Sequence, residues 1–357
     1  MHKITYFLFF VAIGFWARAQ PVHDLIPAVD LIQEGNDIPS DFYNERVAVV
    51  LMADPSIDWD KTAMAAHRYL KKMGIDAVAY FLDQDLCASL IIRSRFASMM
   101  NMREIKTLLF IKVNKDTYQL LIVPFNGTLD FISPNDIGWL SAKGTLNDAF
   151  LSLGLKISQS RLPQDQTNFL VPELPQKYHY LPLEEGLVLQ TYPSQLRRVK
   201  LAVELKDSLE IKPGYPNSVQ TRIRQYNQAI NAQNNRLIAL LKNGYPYSFD
   251  TVYAGSDNEL YRNGYQYVLR SLNTKGRNIK MILSLPIDDN ETDFITVKPG
   301  NGSGVDLIRI PVETNVSKYY IKQTVAKDLY VGKHWDADIH WEESLLNFVF
   351  NLSEYLK

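Results

Sequence analysis

The chain holds a single cysteine, Cys87, so no intramolecular disulfide can form and the fold relies on core burial. Neither sign of charge prevails, with 38 Lys and Arg against 39 Asp and Glu. A nucleic-acid binder needs a basic face to neutralise phosphates, and this balance argues against one. Beyond the first residues, no apolar run reaches the roughly 20 residues that a membrane-spanning helix needs. The familiar signatures of chemistry are missing as well: no Gly-x-Ser-x-Gly elbow, no phosphate-binding Walker loop and no His-Glu-x-x-His zinc motif occurs. Cys87 sits beside Leu86 and Leu90 on an expected helix, where a buried and inert thiol is the expected role.

What is present begins at the first residues. Lys3 gives a positive start, an apolar run covers residues 6–16, and Ala17-Arg18-Ala19 follows as a small-x-small cleavage signal. This is the pattern of a signal peptide over residues 1–19, cut before Gln20, with no cysteine there for lipid attachment. The expectation is an exported protein, periplasmic or extracellular, with no membrane insertion after cleavage.

The body that remains is long enough for two ordinary domains, and its two halves echo each other. A helix ending Lys72-Met73-Gly74 leads to the strand Ala77-Val78-Ala79-Tyr80; Leu241-Lys242-Asn243-Gly244 leads likewise to Asp250-Thr251-Val252-Tyr253. Residues 105–111 and 279–285 are both apolar runs opened by Ile-Lys, each expected to be a strand. Polar breaks follow, Asn114-Lys115-Asp116 and Asp288-Asp289-Asn290-Glu291. Returning strands come next, at 118–123 and 293–297, and both close on Asn-Gly. Asp136-Ile137-Gly138-Trp139 and Asp338-Ile339-His340-Trp341 each open a closing helix. One face of the second closing helix carries Trp341, Leu345, Phe348, Val349, Leu352 and Leu356; Leu146, Ala149, Phe150, Leu153 and Ile157 do the same in the first. Ser256-x-x-Glu259 is a capping box, and Tyr261, Tyr265, Val268 and Leu272 continue from it at helical spacing.

The second unit resembles the TPM domain, a module of exported bacterial and thylakoid-lumen proteins. The resemblance rests on an apolar strand at 278–285, the acidic turn Asp288-Asp289, a returning strand at 294–297 and the closure Gly300-Asn301-Gly302. It also rests on a penultimate helix at 319–329 and a short loop at 331–336 before the last helix. It covers residues 218–357 well and 59–158 poorly. It implies an α/β protein of two similar sandwich domains, each a small mixed sheet flanked by helices. The expected division is a lead-in at 20–45, a first domain at 46–158, a connector at 159–198 and a second domain at 199–357. It also implies divalent-metal binding, calcium or magnesium, and a phosphatase activity attributed to the fold.

Two constellations could hold a metal. Asp288, Asp289, Asp293 and Asp306 crowd one hairpin and offer hard oxygen ligands suited to calcium or magnesium; a solvated turn explains the same residues. His334, Asp336, Asp338 and His340 alternate, so an extended segment would put all four on one face. A loop anchored by Trp335 and Trp341 accounts for that stretch equally well. Tyr178-His179-Tyr180 and Tyr245-Pro246-Tyr247 offer aromatics for recognition, or pack between domains. The expected function is a non-catalytic binding or assembly module with a protein or glycan partner in the cell envelope. The alternative is a divalent-metal-dependent phosphatase. N-terminal sequencing of the mature protein is expected to begin at Gln20, and an intact Met1 would overturn the expectation of export.

Overall fold

The computed structural model describes residues 26–53, 57–160, 176–183, 186–253, 255–300 and 304–357, so the proposed leader and residues 301–303 of the glycine closure lie outside the described residues. The first half runs α1 (Ile26–Asp30), β1 (Gln33–Gly35), α2 (Asp41–Asn44), β2 (Arg46–Met52), α3 (Trp59–Lys72), β3 (Ala77–Leu82), α4 (Asp83–Leu86), α5 (Leu90–Met102), β4 (Ile105–Asn114), β5 (Thr117–Pro124), β6 (Ile137–Leu140) and α6 (Leu146–Gln159). The connector carries β7 (Gln176–Tyr178) and β8 (Val188–Leu189). The second half runs β9 (Leu201–Leu205), α7 (Asn217–Gly244), β10 (Phe249–Tyr253), α8 (Asp257–Arg262), β11 (Tyr267–Lys275), α9 (Gly276–Ile282), β12 (Asp293–Pro299), β13 (Val305–Pro311), β14 (Asn315–Gln323), β15 (Leu329–Tyr330) and α10 (Trp341–Tyr355).

β2 is apolar on both faces, as a strand covered on both sides has to be. Val47, Val49 and Leu51 share a core with Ala66 and Leu70 of α3 and Phe150 and Leu153 of α6. Ala48 and Val50 share another with Ile92, Phe96 and Met100 of α5. The first sheet is ordered β1-β6-β5-β4-β2-β3-β7 and the second β10-β9-β11-β14-β15-β8. Inside these lies one common order, β3-β2-β4-β5-β6 and β10-β9-β11-β14-β15. In both, the first three strands are parallel and the next two antiparallel. Matching single bridges, Tyr118 to Gly144 and Ser317 to Asp338, precede the closing helices α6 and α10. The chain is therefore an α/β protein of two similar sandwich units, each a mixed sheet flanked by helices. The lead-in supplies the edge strand β1, and the connector supplies the far edge of each sheet through β7 and β8.

Four expected elements differ. Residues 279–285 form most of helix α9 and its end rather than a strand, and the true counterpart of β4 is β11. The capping box at Ser256 and Glu259 is present, but its helix stops at Arg262, and Val268 and Leu272 lie on a strand. Residues 319–329 contain most of β14 rather than a helix. Ile137-Gly138-Trp139 is strand β6, and α6 starts later, at a capping box of Thr145 and Asp148. The chain from α9 to β13 is thus an insertion between β11 and β14, tipped by the hairpin β12–β13. Gly74 takes the left-handed conformation of a helix stop, with φ at 74°. Gly244 is instead the last residue of α7.

One core cluster crosses between the halves, holding Val50, Phe81 and Phe96 together with Leu272, Ile282 and Tyr320. Phe150 and Phe348 are fully buried beneath the two sheets. Replacing either by Ala is expected to cost about 3–5 kcal/mol in chemical denaturation. Both variants and the parent should unfold in one transition by circular dichroism and tryptophan fluorescence. Two separate transitions would contradict a shared core.

Candidate functional site

In an open α/β sheet the usual ligand position is the crevice outside the carboxyl ends of the parallel strands. Here β3 passes directly into α4, which packs across the ends of β2 and β3 and against β11 of the second half. Both carboxylates of α4 are buried. The Asp85 carboxylate accepts hydrogen bonds at Oδ1 from Thr274 Oγ1 at 2.6 Å and Asn278 Nδ2 at 2.7 Å. Asn315 Nδ2 donates to Gln84 Oε1 at 2.5 Å, and the Asn273 amide donates to the Ala88 carbonyl at 2.8 Å. Among the described residues nothing donates to Asp83 Oδ1. Burial pushes Asp83 up to about 7, against the pull of the Gln84 backbone amide and with neighbouring Asp85 adding to the rise. It pushes Asp85 up to about 6, against the pull of Thr274, Asn278 and Lys275.

The rim of this seam is mixed in charge. His179 meets Trp59 edge-on at 4.9 Å, and burial holds its imidazole below the usual range. Asp60 pairs with Lys177 at 2.5 Å, and Glu313 with Lys275 and Arg277 at 3.1 and 3.0 Å.

The face of the second sheet turned toward the first half carries buried ions. Arg270 pairs with Glu204 at 2.9 Å and with Asp257 at 3.0 Å, and Asp257 pairs with Lys322 at 2.6 Å. Lys318 pairs with Asp336 at 2.6 Å, both almost wholly inaccessible, and donates to the carbonyls of Tyr319 and Val331 at 3.1 and 2.9 Å. Burial raises the Asp336 carboxyl, with Lys318 drawing it down. The Tyr192 phenol rises well above its ordinary value, mainly through burial and also through Asp336.

The residues expected to bind metal are dispersed. Asp293 opens β12 opposite Pro311, whereas Asp306 lies opposite Lys298 near the other end of the hairpin. At about 3.3 Å per residue the two stand roughly 16 Å apart along the strands. Asp288 caps its own turn by accepting the Asn290 amide at 2.9 Å, and Asp289 is exposed. In the second set Asp336 is taken by Lys318, Asp338 Oδ1 accepts the His340 amide at 3.2 Å, and His334 faces solvent. Among the described residues no group of three or more His, Cys, Asp or Glu is placed to hold a metal ion. The aromatic stretches pack inward: Tyr178 stacks on Phe81 at 5.2 Å, and buried Tyr245 meets Tyr247 at 5.7 Å. The Cys87 thiol is buried and takes part in no disulfide.

Exposed apolar side chains gather elsewhere. The hairpin buries Phe294, Thr296 and Ile310 and turns Ile295, Val305 and Leu307 outward. A second apolar area, the open groove of about 450 Å³ between β6 and α6, is lined by Trp139, Leu151 and Leu155.

No protein-family model, curated protein or solved structure matches this chain.

The acid pair at the seam escaped the sequence reading, although an Asp-x-Asp placed straight after the continuous apolar strand at residues 77–82 was its signal. The buried lysines are spaced four apart, which puts Lys318 and Lys322 on one face of a strand. Removing one partner of a buried pair strands the other charge. Asp336→Asn is therefore expected to cost about 3–5 kcal/mol in urea denaturation, and a near-neutral result would show that Lys318 is satisfied by its carbonyls alone.

Proposed function

We propose that this protein is an exported, non-catalytic binding or assembly module of the cell envelope, built from tandem TPM-like α/β units. The observation that carries the reading is the use made of the first sheet's crevice: α4 and the second half fill the place where a small substrate would bind. The exposed apolar side chains lie elsewhere, on the inserted hairpin and along the groove between β6 and α6. The inserted hairpin offers Ile295, Val305 and Leu307, each more than half exposed, and an exposed apolar face of this kind suits a protein surface better than a glycan. The divalent-metal-dependent phosphatase alternative needs several carboxylates on one ion, and Asp288, Asp289, Asp293 and Asp306 do not converge.

Two measurements bear on this reading. Phosphomonoester hydrolysis by the purified mature protein is expected to stay at background with calcium, magnesium or chelator; metal-dependent turnover would favour the alternative. A photo-cross-linking residue at Leu307, used in cells that make the protein, is expected to give a discrete adduct. Adding Ile295→Asp should abolish that adduct while changing stability by less than about 0.5 kcal/mol. A cross-link indifferent to that change would remove the hairpin as the binding face.

A further inference from the structure

We propose that the seam between the two halves is an acid-operated latch, closed when Asp83 and Asp85 carry protons and loosened when they ionise. The geometry is that of a contact built around two carboxyl groups without a full complement of partners. Asp85 and Asp83 belong to the first half, and Thr274, Asn278 and Asn315 reach them or their neighbour Gln84 from the second. Both acids are more than nine-tenths buried, and among the described residues nothing donates to Asp83 Oδ1. Asp83 draws on the Gln84 backbone amide, but a buried carboxylate short of donors is costly, whereas the protonated acid tolerates the same place.

The surrounding charges do not cancel this cost. From the second half, Lys275 favours the ionised form of Asp85 and Glu313 opposes it. Asp85 itself opposes ionisation of Asp83. The Lys275 side chain is committed to Glu313 at 3.1 Å. On the elements packed against α4, β11 also carries Arg270, which is held by Glu204 and Asp257. There β2 contributes only Arg46 at its far end, and β3 only the Tyr80 phenol, which bonds His67. On α5, Arg93 pairs with Asp130 and Arg95 donates to the Pro182 carbonyl.

The sign of the linkage follows. Each carboxyl rises from an ordinary 3.8, to about 7 for Asp83 and about 6 for Asp85, so the closed state binds more protons than the open one. The stabilisation they provide is complete below the ordinary carboxylate value and is lost as pH climbs through the raised values. Within that window the opening constant grows about tenfold per pH unit for each proton released.

The test is amide hydrogen exchange on the whole mature protein across a pH series from about 5 to about 8, corrected for the intrinsic rate. Two amides report the seam: Asn273, which donates to Ala88, and Leu183, which donates to Ile282. In the parent their opening constants are expected to rise at least tenfold over the series, while amides of β2 respond less. In the double variant Asp83→Asn, Asp85→Asn the seam amides should stay protected at the alkaline end, and the slope should vanish. A flat parent, or a variant that keeps the slope, would overturn the latch. So would a variant that fails to fold, because neutral side chains of the same shape are what the closed seam requires. Urea midpoints over the same series give an independent readout, with the variant expected to exceed the parent at the alkaline end.

Discussion

The placement of α4 is the constraint on which the rest of the molecule depends. Six apolar residues of β3 run buried to Leu82, and the chain then turns at once into a helix whose first residue is Asp83. That turn lays polar side chains across the carboxyl ends of β2 and β3, where Asp83 draws on the Gln84 backbone amide. The second half serves Asp85 and Gln84, through Thr274 at the end of β11, Asn278 on α9 and Asn315 at the start of β14. A crevice that commonly serves ligands serves here to join two units. The join also explains why the core does not divide cleanly between the halves.

The second sheet bears the matching cost. Its outer face is apolar, packing Val203, Leu269 and Ile321 with α7 and α10. The opposite face carries Glu204, Arg270, Lys318 and Lys322 under the first half and α8. Opposite charges there lie within ion-pairing distance, including Asp257 and Asp336. Such pairs contribute little net stability against an apolar core, yet removing one member is expensive. They therefore penalise wrong packing more than they reward right packing. With a single cysteine in the sequence, no intramolecular disulfide braces this packing.

The helices with clear stripes were legible from sequence. Trp341, Leu345, Phe348 and Leu352 gave α10, and Ser256 with Glu259 gave the start of α8. Most of the misreadings fell on the second half's charged face and on its insertion; one, at Ile137–Leu140, fell in the first half, where a strand precedes α6. Val268 and Leu272 sit four apart, which mimics a helix, because the strand residue between them on the same face is Arg270, and the next one along is Thr274. Polar residues at buried positions hid the period of two, and Lys318, Tyr320 and Lys322 hid it again in β14. The run at 279–285 is short and apolar, and periodicity alone cannot tell a buried strand from a buried helix at that length. Gly276, which packs against Phe294 where a side chain would collide, marks where α9 begins. The acidic hairpin looked like a metal site because closeness in sequence was read as closeness in space; antiparallel register separates Asp293 from Asp306 instead.

If the seam is what unites the two units, Asp85 and Asn278 are energetically coupled despite lying 193 positions apart in sequence. A double-mutant cycle with Asp85→Ala and Asn278→Ala, read by denaturant unfolding, measures that coupling directly. The account predicts an interaction energy of about 1–3 kcal/mol. Additivity to within about 0.5 kcal/mol would contradict it, and would mean that the two halves merely lie side by side.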